Sequence, residues 1–428
     1  MNPTEQKPPA AYFGSLTIEN VKCFKGEHTI DISDGNGKPA MWTVILGNNN
    51  TGKTTLLRCL ADLEPIKDMR NFVGDKKTEC DVPKGSLKLF ISKFQFSIKC
   101  QWFINNFLTY KDDYGFLVYK QQVPYQPSIV RQTSHSDISS SYITIFGYGT
   151  SRKMSNTSLL ESESQDNTAS LFDDTVTLIN AEEWIIQTDY ASKNGIESAK
   201  FRLDKIKGIL TNGLLPDVKN FKCESEEING RINNFVLFET DYGWIKLREL
   251  GYGYQVTLAW VVDLAKKLFE RYPESPNPLH EPAIVLVDEL DLHLHPEWQR
   301  KIISFLSKQF PKTQFIATTH SPLIVQSADN INLVILEKQE DHVIIKQRPD
   351  IKTFKGWTVD EILDEIMGLD DKTVSDDYLK LTQQFDAALD EEDYKKAKNA
   401  YDELDKILHP NSHQRKLLRI QMSSLSPE

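Results

Sequence analysis

The segment Gly47-Asn-Asn-Asn-Thr-Gly-Lys-Thr54 fits the phosphate-binding pattern G-x-x-x-x-G-K-[ST]. It follows an apolar strand expected at 41–46 and opens a helix expected at 53–63, the context that this pattern requires. Backbone N–H groups in such a loop bind phosphate oxygens. The alternative interpretation of the segment is an ordinary glycine-rich turn with no ligand. We expect Lys53 to reach the β- and γ-phosphates and Thr54 to ligate Mg²⁺. The other loop residues that we expect to line the phosphates are Gly47, Asn48, Asn49, Asn50, Thr51, Gly52 and Thr55.

A second group of candidates ends the apolar run Ala283–Val287, which is followed by Asp288 and Glu289. A short run of this composition is typical of a parallel strand that is buried on both faces. The carboxyl ends of such strands form the ligand-binding edge of an open α/β sheet. We therefore expect Asp288 to hold Mg²⁺ and Glu289 to accept a proton from the attacking water. Taken alone, the pattern also fits a strand that ends in two solvated acids.

His320 lies in the segment Thr318-Thr-His-Ser-Pro322, directly after a strand expected at 314–318. A histidine at a strand end beside the γ-phosphate can hydrogen-bond to that group. A lone histidine is equally compatible with a structural role. We therefore predict His320 and Glu289 as the candidate catalytic residues.

In this order, the three pieces resemble the nucleotide site of ABC-type ATPases. Leu250-Gly-Tyr-Gly-Tyr-Gln255 supplies a fourth piece, since it matches the signature Leu-Ser-x-Gly-x-Gln and precedes a helix expected at about 253–270. In that family, the signature of one subunit completes the nucleotide site of its partner. The resemblance implies a dimer in which Gly251, Gly253 and Gln255 face the partner's ATP. Because Gly251 replaces the usual serine, we expect weaker ATP-driven dimerisation and slow hydrolysis.

Two further segments resemble elements of the same family. His293-Leu-His-Pro296 occupies the place of the D-loop, which implies that Asp291 and His295 lie at the dimer contact. We prefer this interpretation to a metal site because the two histidines have no evident third ligand. Gly147-Tyr-Gly-Thr-Ser-Arg152 resembles the aromatic-Gly-x-x-Arg turn of the family. Arg152 is expected to meet a phosphate or a neighbouring subunit, or else to be a surface arginine.

The interval between Lys53 and Asp288 is long for a transporter ATPase and leaves room for an inserted arm at about 64–240. The arrangement resembles the RecF-like and overcoming-lysogenization-type ATPases. The insert and the tail around 401–410 resemble the ATPase subunits of the Septu anti-phage defence system, which work with a separate HNH nuclease. This resemblance implies ATP and Mg²⁺ as cofactors, a homodimer or higher homo-oligomer, an HNH nuclease subunit as partner, and contact with DNA through that partner.

These elements together predict an α/β fold, with an ABC-type ATPase head containing a mixed sheet, a helical insertion and a C-terminal helical tail. We expect residues 1–350 to form the ATPase domain and residues 351–428 to form a helical partner-binding region. Thr358-Val-Asp-Glu361 has the pattern of a capping box that opens the first tail helix. The four tail helices are expected at 360–367, 378–389, 393–408 and 414–425.

Composition excludes several classes of protein. The chain has 428 residues and a net charge of −11, so it does not coat nucleic acid through bulk charge. Its five cysteines are widely spaced, which argues against a disulfide framework and for a reducing compartment. No apolar run approaches the ~18 residues that span a bilayer, and the N-terminus lacks a secretory pattern. We expect a cytoplasmic protein without membrane association.

Two other functions stay open on the sequence. A DNA-repair ATPase of the RecF-like kind predicts salt-sensitive stimulation by DNA and a basic surface. The second alternative is a nucleotide-bound scaffold that hydrolyses little ATP. It is suggested by Gly251, which stands where the signature usually has serine. The candidates for the basic surface are Arg70, Lys76, Lys77, Lys84 and Lys88.

Overall fold

The computed structural model describes residues 10–62, 84–91, 94–101, 132–133, 144–159, 166–215, 217–351, 353–369 and 374–425, with side chains except at 62 and within 84–133. The chain divides into two compact units, Met1–Gly356 and Trp357–Glu428. In the described part of the chain, no helix is long and apolar enough to cross a membrane.

Fourteen strands lie in the described residues, all within the first unit. They are β1 (Ala11–Val21), β2 (Phe24–Asp31), β3 (Trp42–Gly47), β4 (Lys84–Ile91), β5 (Phe94–Gln101), β6 (Gln132–Thr133), β7 (Ile145–Tyr148), β8 (Asn220–Ile228), β9 (Arg231–Thr240), β10 (Gly243–Lys246), β11 (Ala283–Val287), β12 (Thr313–Thr319), β13 (Asn332–Lys338) and β14 (Val343–Gln347).

A six-stranded mixed sheet with the order β14-β13-β3-β12-β11-β7 positions the candidate site. Its neighbouring strands run parallel except for the antiparallel pair β13 and β14. Ala317 of β12 pairs with Val44 of β3 on one side and with Val287 of β11 on the other. The carboxyl ends of β3, β12, β11 and β7 therefore meet at one edge of the sheet.

Two antiparallel sheets complete the strand pairing in the described residues, with the orders β2-β1-β4-β5-β6 and β10-β9-β8. In the second sheet, the sequence at 234–247 predicts a hairpin that turns near Asp241-Tyr-Gly243, and β9 and β10 form this hairpin with a turn at Asp241 and Tyr242. Strand β8 was not predicted, because glutamates at 224, 226 and 227 mask its alternation.

The helices of the first unit are α1 (Lys53–Asp62), α2 (Ala181–Lys193), α3 (Glu197–Ile209), α4 (Tyr252–Arg271), α5 (Pro296–Gln299), α6 (Ile302–Gln309) and α7 (Pro322–Ser327). Helix α1 buries Leu56, Leu57 and Leu60 in one apolar cluster with the sheet residues Ile45 and Leu286. This i, i+1, i+4 spacing gives α1 an apolar face, which fixes the helix against the sheet and its N-terminus at the carboxyl end of β3.

Some predicted boundaries are wrong. The sequence predicts one helix from Glu297 to Gln309, but this helix is interrupted, because the Lys301 N–H donates to the carbonyl of Trp298 in a tighter turn between α5 and α6. The segment Tyr142-Ile-Thr-Ile-Phe146 predicts a strand, of which residues 142 and 143 lie outside the described residues; in the rest, β7 begins at Ile145 and extends to Tyr148. The sequence at 171–210 predicts helices throughout, but beyond a short 3-10 turn at Ala169–Leu171 the helical structure begins only at Ala181, where the side chain of Asn180 caps α2.

The second unit is helical, as the sequence predicts. Its helices are α8 (Val359–Glu361), which continues into a π turn at Ile362–Ile366, α9 (Asp376–Asp390), α10 (Tyr394–Ile407) and α11 (His413–Ser424). The capping box of Thr358 and Glu361 is present at the start of α8. Helices α9, α10 and α11 are each capped by the side chain of the residue before their first turn, which is Ser375, Asp393 and Ser412 respectively. Helices α9–α11 share a small core: Phe385, Ala388, Ala397, Ala400, Leu404, Leu418 and Met422.

Candidate nucleotide site

The phosphate-loop residues connect the carboxyl end of β3 to the first turn of α1. The Lys53 Nζ atom lies inside this loop and donates to the carbonyl oxygens of Gly47 at 2.8 Å and Asn48 at 2.9 Å. Burial lowers the Lys53 pKa, and the carboxylates of Glu289 and Asp288 act in the opposite direction. The ammonium group is thus held over the loop by carbonyl oxygens, a weaker set of partners than the phosphate oxygens of ATP would be.

Two glycines of the loop allow close backbone approaches. Gly52 has a φ of +90°, and a Cβ atom there would lie 2.7 Å from the Cys23 sulfur. A Cβ atom at Gly47 would lie 2.5 Å from the Thr51 hydroxyl and 2.9 Å from the backbone of Leu336. Thr51 and Thr55 are buried, whereas the side chains between Gly47 and Thr51, namely Asn48, Asn49 and Asn50, are exposed.

A chain of hydrogen bonds connects the phosphate loop to the acidic strand end. The Thr54 hydroxyl donates to Asp288 Oδ2 at 2.6 Å, and the Thr318 hydroxyl donates to Asp288 Oδ1 at 2.6 Å. The Thr318 oxygen in turn accepts the backbone N–H of Glu289 at 2.7 Å. Helix α1 and the strands β11 and β12 thus contribute to one polar cluster, in which Asp288 is 2% exposed and Thr318 is fully buried.

The residues present fit a magnesium ion. Thr54 Oγ1 and Asp288 Oδ2 are hard oxygen donors, already adjacent at 2.6 Å. Mg²⁺ is commonly held in proteins by one or two such donors together with substrate phosphates and water. The adjacent loop supplies the phosphate-binding part of that arrangement.

Glu289 and His320 lie next to each other at this edge. Glu289 Oε1 is 3.8 Å from His320 Nε2, and both side chains are about one-third exposed, at 31% and 29%. Glu289 has a φ of +49°, an unusual backbone conformation for a glutamate. Both side chains therefore lie at the carboxyl end of the sheet, where the His320 Nε2 atom is buried and has no hydrogen-bond partner among the described residues.

The segment resembling the D-loop is tied to the strand that carries His320. Asp291 Oδ1 accepts the Thr319 hydroxyl at 2.5 Å and the His320 N–H at 3.3 Å. His295 caps α5 through Nδ1, which accepts the Glu297 N–H at 3.3 Å. These contacts show how the segment is held, while its expected place at a dimer contact stays a prediction.

The signature segment forms the start of α4, with Gly251 as the residue before its first turn. A Cβ atom at Gly253 would lie only 2.2 Å from the His293 carbonyl oxygen, so the helix start packs directly on the D-loop backbone. Gln255 Nε2 donates to the carbonyl of Leu250 at 2.8 Å. In the described part of the chain, no hydrogen bond joins Gly251, Gly253 or Gln255 to the phosphate loop of the same chain.

Arg152 is buried, so the interpretation of a surface arginine is wrong. The residue is 1% exposed, and its Nη2 group donates to the carbonyl oxygen of Glu289 at 2.7 Å. The cause lies in β7, whose last residue, Tyr148, accepts the Asp288 N–H through its carbonyl at 2.8 Å. That pairing brings the turn after β7 beneath the acidic strand end.

Sequence reasoning gave no role to Thr318 or to Gln299, which the structure places in the site's support. The Gln299 side chain donates to the Leu294 carbonyl at 3.0 Å and accepts the Ser321 hydroxyl at 2.6 Å. The only available signal was position, because both residues flank motifs. Of the candidate basic surface, Arg70, Lys76 and Lys77 lie outside the described residues, and the side chains of Lys84 and Lys88 are outside them too.

Residues 42–326 match the family model described as "AAA domain, putative AbiEii toxin, Type IV TA system". The chain belongs to this family. The match extends from β3 to α7 and so includes the phosphate loop, the acidic strand end and His320. The chain therefore carries an ATPase domain of the α/β class, as the sequence predicts.

Curated relatives agree with this assignment. Septu protein PtuA of Bacillus thuringiensis is 39% identical over 192 residues, which cover 44% of this chain and 48% of the relative. Septu protein PtuA of Bacillus mycoides (strain KBAB4) is 26% identical over 359 residues, covering 82% of this chain and 44% of the relative. A retron Ec83 probable ATPase of Escherichia coli is 35% identical over 171 residues, 40% of this chain and 29% of the relative.

These matches confirm the resemblance to PtuA that the sequence motifs indicate. The chain spans about half the length of the PtuA relatives that it matches.

Proposed function

We propose that this chain binds ATP with Mg²⁺, hydrolyses it at composite sites of a dimer, and acts as the regulatory ATPase of an anti-phage defence complex with a separate HNH-type nuclease. The hydrogen-bonded chain from Thr54 through Asp288 and Thr318 to the backbone of Glu289 carries the catalytic part of this proposal. It brings a phosphate loop, a magnesium-ligand pair and a carboxylate to one edge of the sheet.

The phosphate loop holds the substrate. Backbone N–H groups of residues 48–54 and the N-terminus of α1 bind the phosphate oxygens of ATP. Lys53 then exchanges its two carbonyl partners for the β- and γ-phosphates, because a charge-assisted bond to phosphate is the stronger one. Thr54 and Asp288 hold Mg²⁺, which when bound neutralises charge on the phosphates.

Glu289 acts as the general base. Its carboxylate accepts a proton from water while the water oxygen forms a bond to the γ-phosphorus. The bond between that phosphorus and the β–γ bridging oxygen breaks, and ADP leaves with the electron pair. His320, whose Nε2 atom lies 3.8 Å from Glu289, donates a hydrogen bond to the γ-phosphoryl group. The products are ADP and inorganic phosphate.

The dimer supplies the second half of each site. Gly251 and Gly253 lie at the N-terminus of α4, and their position at a helix start suits binding of the partner's γ-phosphate. Gln255 supports this segment by its bond to Leu250. ATP favours the closed dimer since it adds contacts that the open form lacks, and hydrolysis removes them.

Isosteric substitution tests the hydrolytic step. We expect Glu289→Gln to lower kcat by about 100-fold or more while ATP binding persists, because the amide cannot accept the proton. Glu270→Gln is the matched control: Glu270 lies on α4, is 55% exposed and pairs with Lys266, and its amide variant keeps full turnover. An unchanged rate in Glu289→Gln would mean that the measured hydrolysis belongs to a contaminant, and the scaffold alternative would replace the proposal.

The PtuA relatives and the tail support the role in defence. The tail unit carries an exposed apolar pair on α11, Leu417 at 56% and Ile420 at 65% exposure, which suits docking of a protein. Tagging the full chain in its native operon tests this: we expect a stoichiometric HNH nuclease to co-purify, and Ile420→Asp to release it. Gln414→Asp on the same helix is the control. Recovery of DNA without a protein partner would instead favour the repair alternative.

A further inference from the structure

Arg152 has an unusual place for a charged side chain. It follows the carboxyl end of β7 with a φ of +36°, and only 1% of its surface is exposed. Its Nη2 group donates to the Glu289 carbonyl at 2.7 Å, while its buried Nε group has no hydrogen-bond partner in the described residues. Among the described residues, no carboxylate lies at salt-bridge distance from Arg152, and a buried guanidinium in such a place is costly, which indicates that its position serves the site.

The charges around Arg152 keep it protonated. Burial lowers its pKa to about 10, and the carboxylates of Asp288, Asp291 and Glu289 oppose that shift. The side chain therefore carries its positive charge at neutral pH. It partly balances the charge of this acidic cluster. Its position is set by the main chain of the cluster, since the hydrogen bond that it makes within the described residues goes to the Glu289 carbonyl oxygen.

The peptide groups on the two sides of Glu289 are fixed by two different parts of the chain, strand β12 and the segment after β7. Its N–H donates to the Thr318 hydroxyl at 2.7 Å, and its carbonyl accepts Arg152 at 2.7 Å. Between these two bonds the residue holds a φ of +49°, which a glutamate rarely adopts without support. Loss of either bond would let the backbone relax and turn the carboxylate away from the substrate.

We infer that Arg152 is a positioning residue, which acts within its own subunit by holding the Glu289 peptide in the conformation that directs the carboxylate to the attacking water. This inference rests on the proposed function, in which Glu289 is the general base. It differs from both remaining sequence-based expectations, contact with a phosphate and contact with a neighbouring subunit, because the guanidinium is enclosed beneath Glu289.

Three variants of the full-length protein test this role by steady-state ATPase kinetics and by equilibrium binding of ATP. Arg152→Met removes the donor and the charge but keeps most of the side-chain volume, and Arg152→Lys keeps one donor and the charge. Arg58→Met is the matched control, since the Arg58 Nε group also donates to a carbonyl, that of Leu171 at 2.6 Å, but on α1 and away from Glu289.

For Arg152→Met we expect kcat to fall about 100-fold, as a misplacement of about 1 Å does, with KM and the Kd for ATP changed by less than about threefold. Arg152→Lys recovers part of kcat, because its ammonium group can still donate to the carbonyl. Arg58→Met keeps kcat within about twofold whatever it does to thermal stability. This separation of kcat from binding, with rescue by lysine, is not expected of a residue that only supports folding.

Two results would overturn the inference. One is an unchanged kcat in Arg152→Met. The other is a loss of ATP affinity in proportion to kcat in both Arg152 variants, which would make the arginine a phosphate ligand or a folding residue. Wild-type protein that binds ATP without any turnover would remove the proposed hydrolysis and the inference together, whereas wild-type turnover with an unaffected Arg152→Met removes only the inference.

Discussion

Replacing Thr318 by valine removes one hydroxyl group from the centre of the site and keeps the shape of the side chain. The residue is fully buried, and its hydroxyl serves two partners at once. It donates to Asp288 Oδ1 at 2.6 Å and accepts the Glu289 N–H at 2.7 Å. Valine can replace neither bond, so a carboxylate oxygen and a backbone N–H each lose a partner.

The expected loss of stability follows from those two bonds. A hydrogen bond to a charged group contributes about 1.5–3 kcal/mol, and a buried donor left without a partner costs about 1–3 kcal/mol. We therefore expect Thr318→Val to lower the free energy of unfolding by roughly 3–5 kcal/mol. Thr188→Val is the matched control: its buried hydroxyl donates only to the Trp184 carbonyl at 2.7 Å, inside α2. That carbonyl also accepts a backbone hydrogen bond within the helix, so it keeps a partner when the hydroxyl is removed. Thr188→Val should therefore lower the free energy of unfolding by only about 1 kcal/mol.

The free energies of unfolding of the two variants are measured by urea unfolding, monitored by tryptophan fluorescence. Their kcat values are measured by steady-state ATPase kinetics. We expect Thr318→Val to be less stable than Thr188→Val by at least about 2 kcal/mol and to lose about 100-fold in kcat, because the Glu289 backbone loses one of its two anchors. Equal stability and equal kcat in the two valine variants would refute the argument that Thr318 organises the acidic strand end.

The remaining predictions concern the phosphate loop, the signature segment and the half-buried Cys223 thiol. Lys53→Ala should raise the Kd for a fluorescent ATP analogue at least about tenfold, since one charged phosphate contact contributes roughly 1.5–3 kcal/mol, and an unchanged Kd would contradict the whole site assignment. Gly251→Ser should fold normally, because a Cβ atom there meets its nearest neighbour at 3.7 Å, and it should lower the ATP concentration needed for dimerisation in light-scattering measurements. If Gly251→Ser dimerises no better than the wild type, the missing hydroxyl does not limit the closed form. Burial, with the Asp189 carboxylate next in effect, raises the pKa of Cys223 to about 12. The Cys223 thiol therefore stays protonated at pH 8, and peptide mapping after iodoacetamide treatment should find it among the slowly alkylated cysteines; rapid alkylation at that pH would contradict the burial.

The phosphate loop and the acidic strand end could be predicted because each chemistry requires fixed residue types at short spacing. Gly47 to Thr54 and Ala283 to Glu289 are both read within eight residues, and the parallel strands then bring them to one edge. The tail helices were predictable for a similar reason, since caps such as Thr358 with Glu361 are local signals.

The supporting contacts could not be predicted, because they depend on which strands become neighbours. Strand β12 pairs with β11, and this pairing lets Thr318 bind both the Asp288 carboxylate and the Glu289 N–H. The burial of Arg152 likewise depends on β7 pairing with β11. The short turn between α5 and α6 does not change the apolar periodicity of residues 297–309. The sequence therefore does not predict that the helix is interrupted there.

The central claim is that two chains share each nucleotide site, and a mixing experiment tests it most directly. Lys53→Ala inactivates the phosphate loop of its own chain, and Gly251→Glu places a negative charge where the signature would face the partner's triphosphate. Each variant alone should be inactive. In an equal mixture, about half of the dimers are mixed and each of those has one intact composite site, so activity should return to about a quarter of the wild-type level. A mixture as inactive as its two components, although mixed dimers form, would contradict the composite site.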